Sequence, residues 1–330
     1  MSDLPWTLHV GDALAVLASM PSNSINCFVT SPPYFGLRDY GAAGQIGMEP
    51  TVTEYVSRLS GVFAELLRVM RPDGSLWLNL GDSHHGGGST TDKGQNTRLY
   101  ERKSTLESRH TAGSCDRRPK PRGYDGYRPK DLIGIPWRMA FALQEMGWYL
   151  RADIIWAKSN PMPESVSDRP TRSHEYLFLL TKSPRYWYDA DAIREPYADP
   201  RRRGRKAGKN ALRGQALIRP RGNGDSPDRY ANPKGRNKRS VWFISPRPFK
   251  GAHFATFPET LVEPCVMAGC PVGGMVLDPF AGSGTTGAVA VRLGRRFQGI
   301  ELNPEYAVIA TARLTATAWG GQQQTIAGAS

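Results

Sequence analysis

One run constrains this 330-residue chain more than any other: Val276-Leu277-Asp278-Pro279-Phe280-Ala281-Gly282-Ser283-Gly284-Thr285-Thr286. It reads as a short apolar strand, a glycine-rich turn and the start of a helix. Gly282 and Gly284 permit positive φ and a close approach of backbone to ligand. The free N–H groups at the helix start suit a carboxylate. Such a turn belongs in an open, doubly wound sheet, where ligands lie in the crevice at the carboxyl ends of the strands. A second strand over 297–300 ends in Glu301, 17 residues past Gly284, the placement expected of a carboxylate that accepts both hydroxyls of a ribose. No Lys follows Gly284, which disfavours a phosphate-binding P-loop.

The remaining segments alternate in the same way. Strands are expected over 7–10, Ile25–Thr30, 75–80, 148–157, 175–181 and 275–277. Helices are expected over 13–20, 54–70, 132–146, 258–268 and 285–293. The stripe Val56, Leu59, Val62, Phe63, Leu66, Leu67 and Met70 has helical spacing, and Arg71-Pro72-Asp73-Gly74 is expected to end that helix in a turn. This alternation predicts an α/β fold with a mainly parallel sheet covered by helices on both faces.

Charge is concentrated. The chain carries a formal net charge of +13, which points to a polyanionic partner. Most of it lies between Pro200 and Ser240, where fourteen basic residues face only Asp225 and Asp228. Among them are Arg201, Arg202, Arg203, Arg205, Lys206, Arg219, Arg221, Arg236, Lys238 and Arg239, the candidate phosphate contacts. A second polar stretch, 83–130, is opened by Gly86, Gly87 and Gly88 and holds many Arg and Lys. The expected organisation is one catalytic domain, 1–199 with 241–330, carrying 83–130 as a loop insertion and 200–240 as a basic recognition region. No run of 18 apolar residues and no leader-like N-terminus is present, so no membrane partner is expected. Cys27, Cys115, Cys265 and Cys270 are scattered, without a CxxC or a His pairing at metal spacing. A reducing cytosol and a metal-free site are the expectation; His84, His85 and His110 sit in the polar loop without partners.

At the other end of the chain, Asn26-Cys27-Phe28-Val29-Thr30 delivers Ser31-Pro32-Pro33-Tyr34. The two prolines fix φ and remove two N–H donors, so the carbonyls before and between them stay available as acceptors. With an aromatic next in line, the geometry suits a planar ring bearing an amino group: acceptors for its hydrogens and a face to stack on.

Thr30-Ser31-Pro32-Pro33-Tyr34 together with Asp278 to Thr286 resembles the amino-group DNA methyltransferases, which use S-adenosyl-L-methionine to form N4-methylcytosine or N6-methyladenine. The order, catalytic motif first and cofactor motif last, is similar to the circularly permuted β class. Gly11-Asp12, the run 151–163, His174-Glu175-Tyr176 and the run 253–258 match as well. The resemblance implies a Rossmann-like methyltransferase fold with S-adenosyl-L-homocysteine as by-product. It implies that Asp278, Phe280, Ala281, Gly282, Ser283, Gly284 and Thr285 line the methionine part of the cofactor. Glu301 would bind the ribose and Asp12 the adenine amino group, with His253, Phe254 and Phe257 near the cofactor. Ser31 and the Pro32 carbonyl would accept the target amino hydrogens, Pro33 completes the motif, and Tyr34 would stack on the flipped base. The stretch 200–240 occupies the position of the target-recognition region, so double-stranded DNA is the implied substrate. A homodimer and a cognate restriction endonuclease are partners the resemblance leaves open.

An exocyclic amino nitrogen donates its lone pair into the ring and is a poor nucleophile. Accepting its hydrogens localises that pair toward the methyl donor, for direct in-line transfer without a covalent intermediate. Within the family Ser at the first motif position goes mostly with cytosine N4 and Asp mostly with adenine N6, so Ser31 favours N4-cytosine, with N6-adenine as the alternative. C5 methylation needs a cysteine nucleophile. The one Pro-Cys pair, Pro264-Cys265, lies inside an expected helix ahead of the glycine motif, where a small core residue is expected. A non-catalytic DNA-binding scaffold is the remoter alternative, and both intact motifs oppose it.

Overall fold

The computed structural model describes residues 4–37, 41–85, 126–128, 130–197, 232, 234–246 and 257–327. Residues 86–125 of the polar insertion, 200–231 of the basic region, and His253 and Phe254 lie outside them.

Eight strands form one sheet in the order β1-β8-β7-β2-β3-β5-β4-β6. They are β1 (Trp6–Val10), β2 (Ile25–Thr30), β3 (Met70–Leu80), β4 (Tyr149–Ala157), β5 (His174–Thr181), β6 (Val241–Phe243), β7 (Met275–Asp278) and β8 (Arg296–Glu301). β1, β8, β7, β2 and β3 are mutually parallel. β5 runs antiparallel between β3 and β4, and β6 pairs parallel with β4. The sheet is therefore mixed, with a parallel half that carries both sequence motifs.

Successive strand residues face opposite sides of a sheet, and here the alternation sorts two cores. Phe28, Leu76, Leu78, Leu277 and Ile300 pack with α1 (Ala13–Ser19), α2 (Val52–Val69) and α3 (Ile135–Glu145). Cys27, Val29, Trp77, Leu177, Leu179 and Val276 pack on the other face with α4 (Glu259–Gly269), α5 (Thr285–Arg292) and α6 (Pro304–Ala327). That is the doubly wound arrangement expected from the alternation. Thr51 starts α2 by accepting from the Glu54 N–H at 3.1 Å, and the stripe foreseen in this helix, Leu59, Val62, Phe63 and Leu66, is buried.

Two expectations change. Arg71 to Gly74 does not separate helix from strand, because β3 already begins at Met70. Ile25 pairs with Met70 but Cys27 pairs with Ser75, so the extra residues bulge out of the ladder. Gly74 permits this: a Cβ there would lie 2.9 Å from the Asn26 carbonyl oxygen and 2.6 Å from Met70 Cγ. Helix α6, absent from the sequence reading, buries Ala307, Ala310, Leu314 and Ala318. A stripe built mostly of alanine carries the right spacing but little hydrophobic contrast. Its entry is marked by Asn303, whose side chain accepts from the Glu305 N–H at 2.8 Å ahead of the helical run.

Candidate active site

The carboxyl ends of the parallel strands bring the predicted residues together along one rim. At the end of β7, Asp278 is buried, and its Oδ1 accepts from Thr30 Oγ1 at 2.7 Å and from the Phe280 N–H at 3.1 Å. Its Oδ2 accepts from Thr286 Oγ1 at 2.7 Å. Asp278 thus ties its own turn to the end of β2 and to the first turn of α5. Burial, offset by these donors, raises its carboxyl to about 6. Gly282 and Gly284 both take positive φ, +52° and +75°, as the glycine turn requires.

On the neighbouring β8, Glu301 accepts from the Gly282 N–H at 2.8 Å through Oε2 and from the Asn303 N–H at 2.8 Å through Oε1. Burial pushes this carboxyl up, and among the described residues no cation pairs with it. Asp12, at the end of β1, caps α1 through the Ala15 N–H at 3.0 Å. The Gly11 N–H donates to the Glu301 carbonyl at 2.9 Å, which joins the two ends. A nucleoside fits this set. Around Gly282 the space is open, its nearest neighbour for a Cβ being the Phe280 carbonyl at 4.0 Å. Beside it sits a carboxylate with acceptor capacity left for hydroxyl groups. Ala281 is buried, whereas the hydroxyls of Ser283 and Thr285 face Arg313 of α6, at 3.4 and 2.9 Å. Phe257 borders Val29, Thr30 and Asn79 in a narrow hollow beneath the two strand ends.

The second motif stands directly beside the first. β2 and β7 are parallel neighbours, with Cys27 opposite Val276 and Phe28 opposite Leu277. The Thr30–Asp278 bond therefore spans 248 residues of chain at one point of the rim. From there Ser31 Oγ donates to Tyr34 Oη over a long 3.3 Å, and Tyr55 Oη donates to the Pro33 carbonyl at 2.8 Å. Among the described residues none donates to the Pro32 carbonyl.

The Tyr34 hydroxyl reaches Glu175 Oε2 at 2.8 Å and Asn79 Oδ1 at 3.2 Å. Asn79 Nδ2 donates to the same Glu175 oxygen at 3.1 Å, and Lys158 Nζ pairs with Glu175 Oε1 at 2.5 Å. Burial and the adjacent Glu175 carboxylate push the Tyr34 phenol well above its ordinary value, so it is neutral throughout the working pH range. A Cβ on Gly81 would fall 2.6 Å from the Tyr34 ring, so that glycine makes room for it.

This assembly was not foreseen from the sequence. Segments holding Lys158 and Glu175 match the family pattern, but no role follows from them. Asn79 had one available signal, a polar residue in the apolar run 76–80. Asp82 was also missed: its Oδ1 accepts from the Ser83, Gly134 and Ile135 N–H groups at 2.9 to 3.0 Å. It supplies the cap that Gly134 cannot give to α3 and closes the neck from which the polar insertion departs.

Of the candidate phosphate contacts within the described residues, two are held by the fold. Arg236 and Lys238 pair with Glu195 at 3.2 and 3.5 Å, and Lys238 also lies 4.8 Å over the Trp242 ring. Arg239 is exposed. The seven from Arg201 to Arg221 lie outside the described residues. Cys27, Cys265 and Cys270 are free and buried, and burial pushes all three thiols up. Among the described residues no group of three or more His, Cys, Asp or Glu could hold a metal ion, and no helix is long and apolar enough to cross a membrane.

The family model described as DNA methylase, covering N6 and N4 amino methylation, matches residues 25–312, from the start of β2 into α6. The chain belongs to this family. It is similar to the Type II methyltransferases M.Cfr9I of Citrobacter freundii, 47% identical over 93% of this chain and 87% of that one, and M.SmaI of Serratia marcescens, 45% identical over 92% and 89%. Among solved structures it resembles TTHA0409 of Thermus thermophilus complexed with S-adenosyl-L-methionine, with a TM-score of 0.54 and 25% identity over 94% and 95% of the two chains. The PvuII cytosine-N4-specific DNA methyltransferase shares the fold, with a TM-score of 0.58 and 19% identity over 93% and 86%. The methyltransferase fold and the amino-methylating DNA methylase family named from the two motifs are thus borne out.

Proposed function

We propose that this DNA methylase methylates the exocyclic N4 amino group of a cytosine flipped out of duplex DNA. The observation that carries the base assignment is Ser31 at the first motif position, at the rim where Thr30 joins Asp278. S-adenosyl-L-methionine is the methyl donor, and it supplies an electrophilic sulfonium methyl. Glu301 receives its ribose hydroxyls and Asp12 its adenine amino group. The glycine turn, with Phe280 and Ala281, borders the methionine part, and Asp278 holds that turn against the catalytic strand. Ser31 and the Pro32 carbonyl accept from the target amino group, and Tyr34 offers its ring to the extruded base. Flipping costs a few kcal/mol, which stacking and these acceptors offset.

The basic region 200–240 is read as the target-recognition element on duplex DNA, in a cytoplasmic enzyme that works with a cognate endonuclease. Its C-terminal end is anchored to the catalytic domain: the Glu195 and Arg236 backbones bridge, and the Ile155 N–H donates to the Ser240 carbonyl at 2.8 Å. The test is direct. The full chain is incubated with S-adenosyl-L-methionine and mixed-sequence duplex DNA, which is then digested to nucleosides for mass spectrometry. N4-methyldeoxycytidine is expected. N6-methyldeoxyadenosine in its place overturns the base assignment and leaves the enzyme class standing.

A further inference from the structure

Methyl transfer to an amino group leaves a proton to be removed, and Ser31 cannot keep it. We propose that Glu175 is the proton acceptor of the reaction, reached from the target amino group through the hydroxyls of Ser31 and Tyr34. The inference rests on amino-group methylation as read above, and holds for either amino base.

The donors and acceptors already point one way. Ser31 Oγ donates to Tyr34 Oη at 3.3 Å, and Tyr34 Oη donates to Glu175 Oε2 at 2.8 Å. The first link is the longer of the two, and Ser31 Oγ is the donor in it. Tyr34 is held neutral by burial and by the Glu175 charge; it passes a proton on and cannot serve as the base. Glu175 is different. It is a carboxylate whose side chain is 14% exposed, ion-paired through Oε1 to Lys158 at 2.5 Å, while Oε2 receives Tyr34 and Asn79 Nδ2. Asn79 is itself fixed by donating to the Tyr176 carbonyl at 3.1 Å. The charged and titratable groups facing this chain are Lys158 after β4, Tyr34 after β2 and Tyr55 of α2, and no second carboxylate touches Glu175 among the described residues.

The balance closes. The amino nitrogen forms a bond to the methyl carbon as the carbon–sulfur bond breaks and its electron pair stays on sulfur, leaving a thioether and a cationic amine. That amine gives a proton to Ser31 Oγ. Ser31 passes its own to Tyr34 Oη, and Tyr34 passes its own to Glu175 Oε2. The two hydroxyls end unchanged, and Glu175 ends protonated beside the Lys158 ammonium. Release to solvent resets it. Glu175 acts through Tyr34 without touching the base, so its role should be visible in proton-transfer readouts rather than in binding.

Single-turnover methylation of mixed-sequence duplex DNA, with a labelled methyl group, compares the wild type with Tyr34→Phe, Glu175→Gln and the double variant between pH 6 and 9. Tyr34→Phe keeps the ring and removes only the relaying hydroxyl. Each single variant should lose about a hundredfold in rate near neutral pH, the scale of general base catalysis. Cofactor affinity by titration calorimetry should be unchanged, and the double variant should be no slower than either single one. Raising the concentration of buffer base should accelerate the variants and leave the wild type unaffected. A Tyr34→Phe enzyme at the wild-type rate overturns the relay. So do single-variant losses that multiply in the double variant and ignore buffer base, since that pattern belongs to packing. The nucleoside product of the wild type separately reports the target base; N6-methyladenine there overturns the cytosine assignment while leaving the relay test intact.

Discussion

The cofactor end and the catalytic end of the rim are built by different means. At the cofactor end, the turn from Asp278 to Thr286 contains most of its own parts, and Glu301 arrives from the next strand in sequence. At the catalytic end, Ser31 to Tyr34 is local, but Asn79 and Glu175 reach the Tyr34 hydroxyl from two other places in the chain, and Lys158 holds Glu175 from a third. A site made by one backbone turn is read from one segment. A site made by hydrogen bonds between strands waits for the strand order.

The contrast can be broken or sharpened by experiment. The largest effect is expected at Tyr34→Ala, which removes both the stacking face and the relay hydroxyl proposed for this residue. Turnover should fall about a thousandfold, combining losses of each kind, with cofactor binding by calorimetry nearly intact; equal loss of both would point to a collapsed fold and erase the division between the two ends.

Next is the pH dependence of stability at the cofactor end. The Asp278 carboxyl stands at about 6 in the folded chain, against an unfolded value near 4. Between those values the folded chain holds a proton the unfolded chain has lost, so stability falls as pH rises from about 4 to about 6 and is level above. The drop from this group is about 3 kcal/mol. Denaturant unfolding across that window should show it, and Asp278→Asn should remove that share while keeping the smaller one of Glu301, whose carboxyl burial also raises. An unchanged slope in Asp278→Asn would show that the Thr30, Thr286 and Phe280 donors cancel the effect of burial.

Glu301→Gln should then weaken S-adenosyl-L-methionine binding about tenfold to a hundredfold, the cost of disrupting hydrogen bonds to a charged group. The rate at saturating cofactor should hold. A lost rate with an unchanged dissociation constant would move Glu301 to the catalytic end. The smallest effect distinguishes two neighbours in the basic region. Arg239→Ala should reduce the slope of log affinity for DNA against log salt by about 0.9, one phosphate contact. Lys238→Ala should leave it unchanged, because Lys238 is held by Glu195 and Trp242. Equal slopes for the two variants would show that exposure does not decide which cations meet DNA.

Much of the fold was legible in advance. β2 spans Ile25–Thr30 as expected, and the expected strands over 148–157 and 297–300 correspond to β4 and β8. Alternating and continuous apolar runs announce buried strands because side chains must face one core or the other. The bulge in β3 is not legible in sequence because Pro and Gly mark a change of direction without saying whether the strand resumes its pairing. Helix α6 escaped because alanine packs closely against Gly284, where a Cβ would stand 3.2 Å from Ala310 Cβ, yet contributes little to a hydrophobic pattern.

The division has a physical basis. Proline limits φ and glycine extends it within a single residue, so the two turns, their order along the chain and the basic stretch are properties of the sequence by itself. Which strands lie side by side depends on how the whole apolar surface is buried, and only the tertiary structure decided that. It placed Thr30 against Asp278, brought Glu175 to the Tyr34 hydroxyl and Lys158 to Glu175, and turned Arg236 and Lys238 inward to Glu195. A hydrogen bond needs its partner within about 3 Å, and no spacing along a chain supplies that distance when the partners stand on different strands.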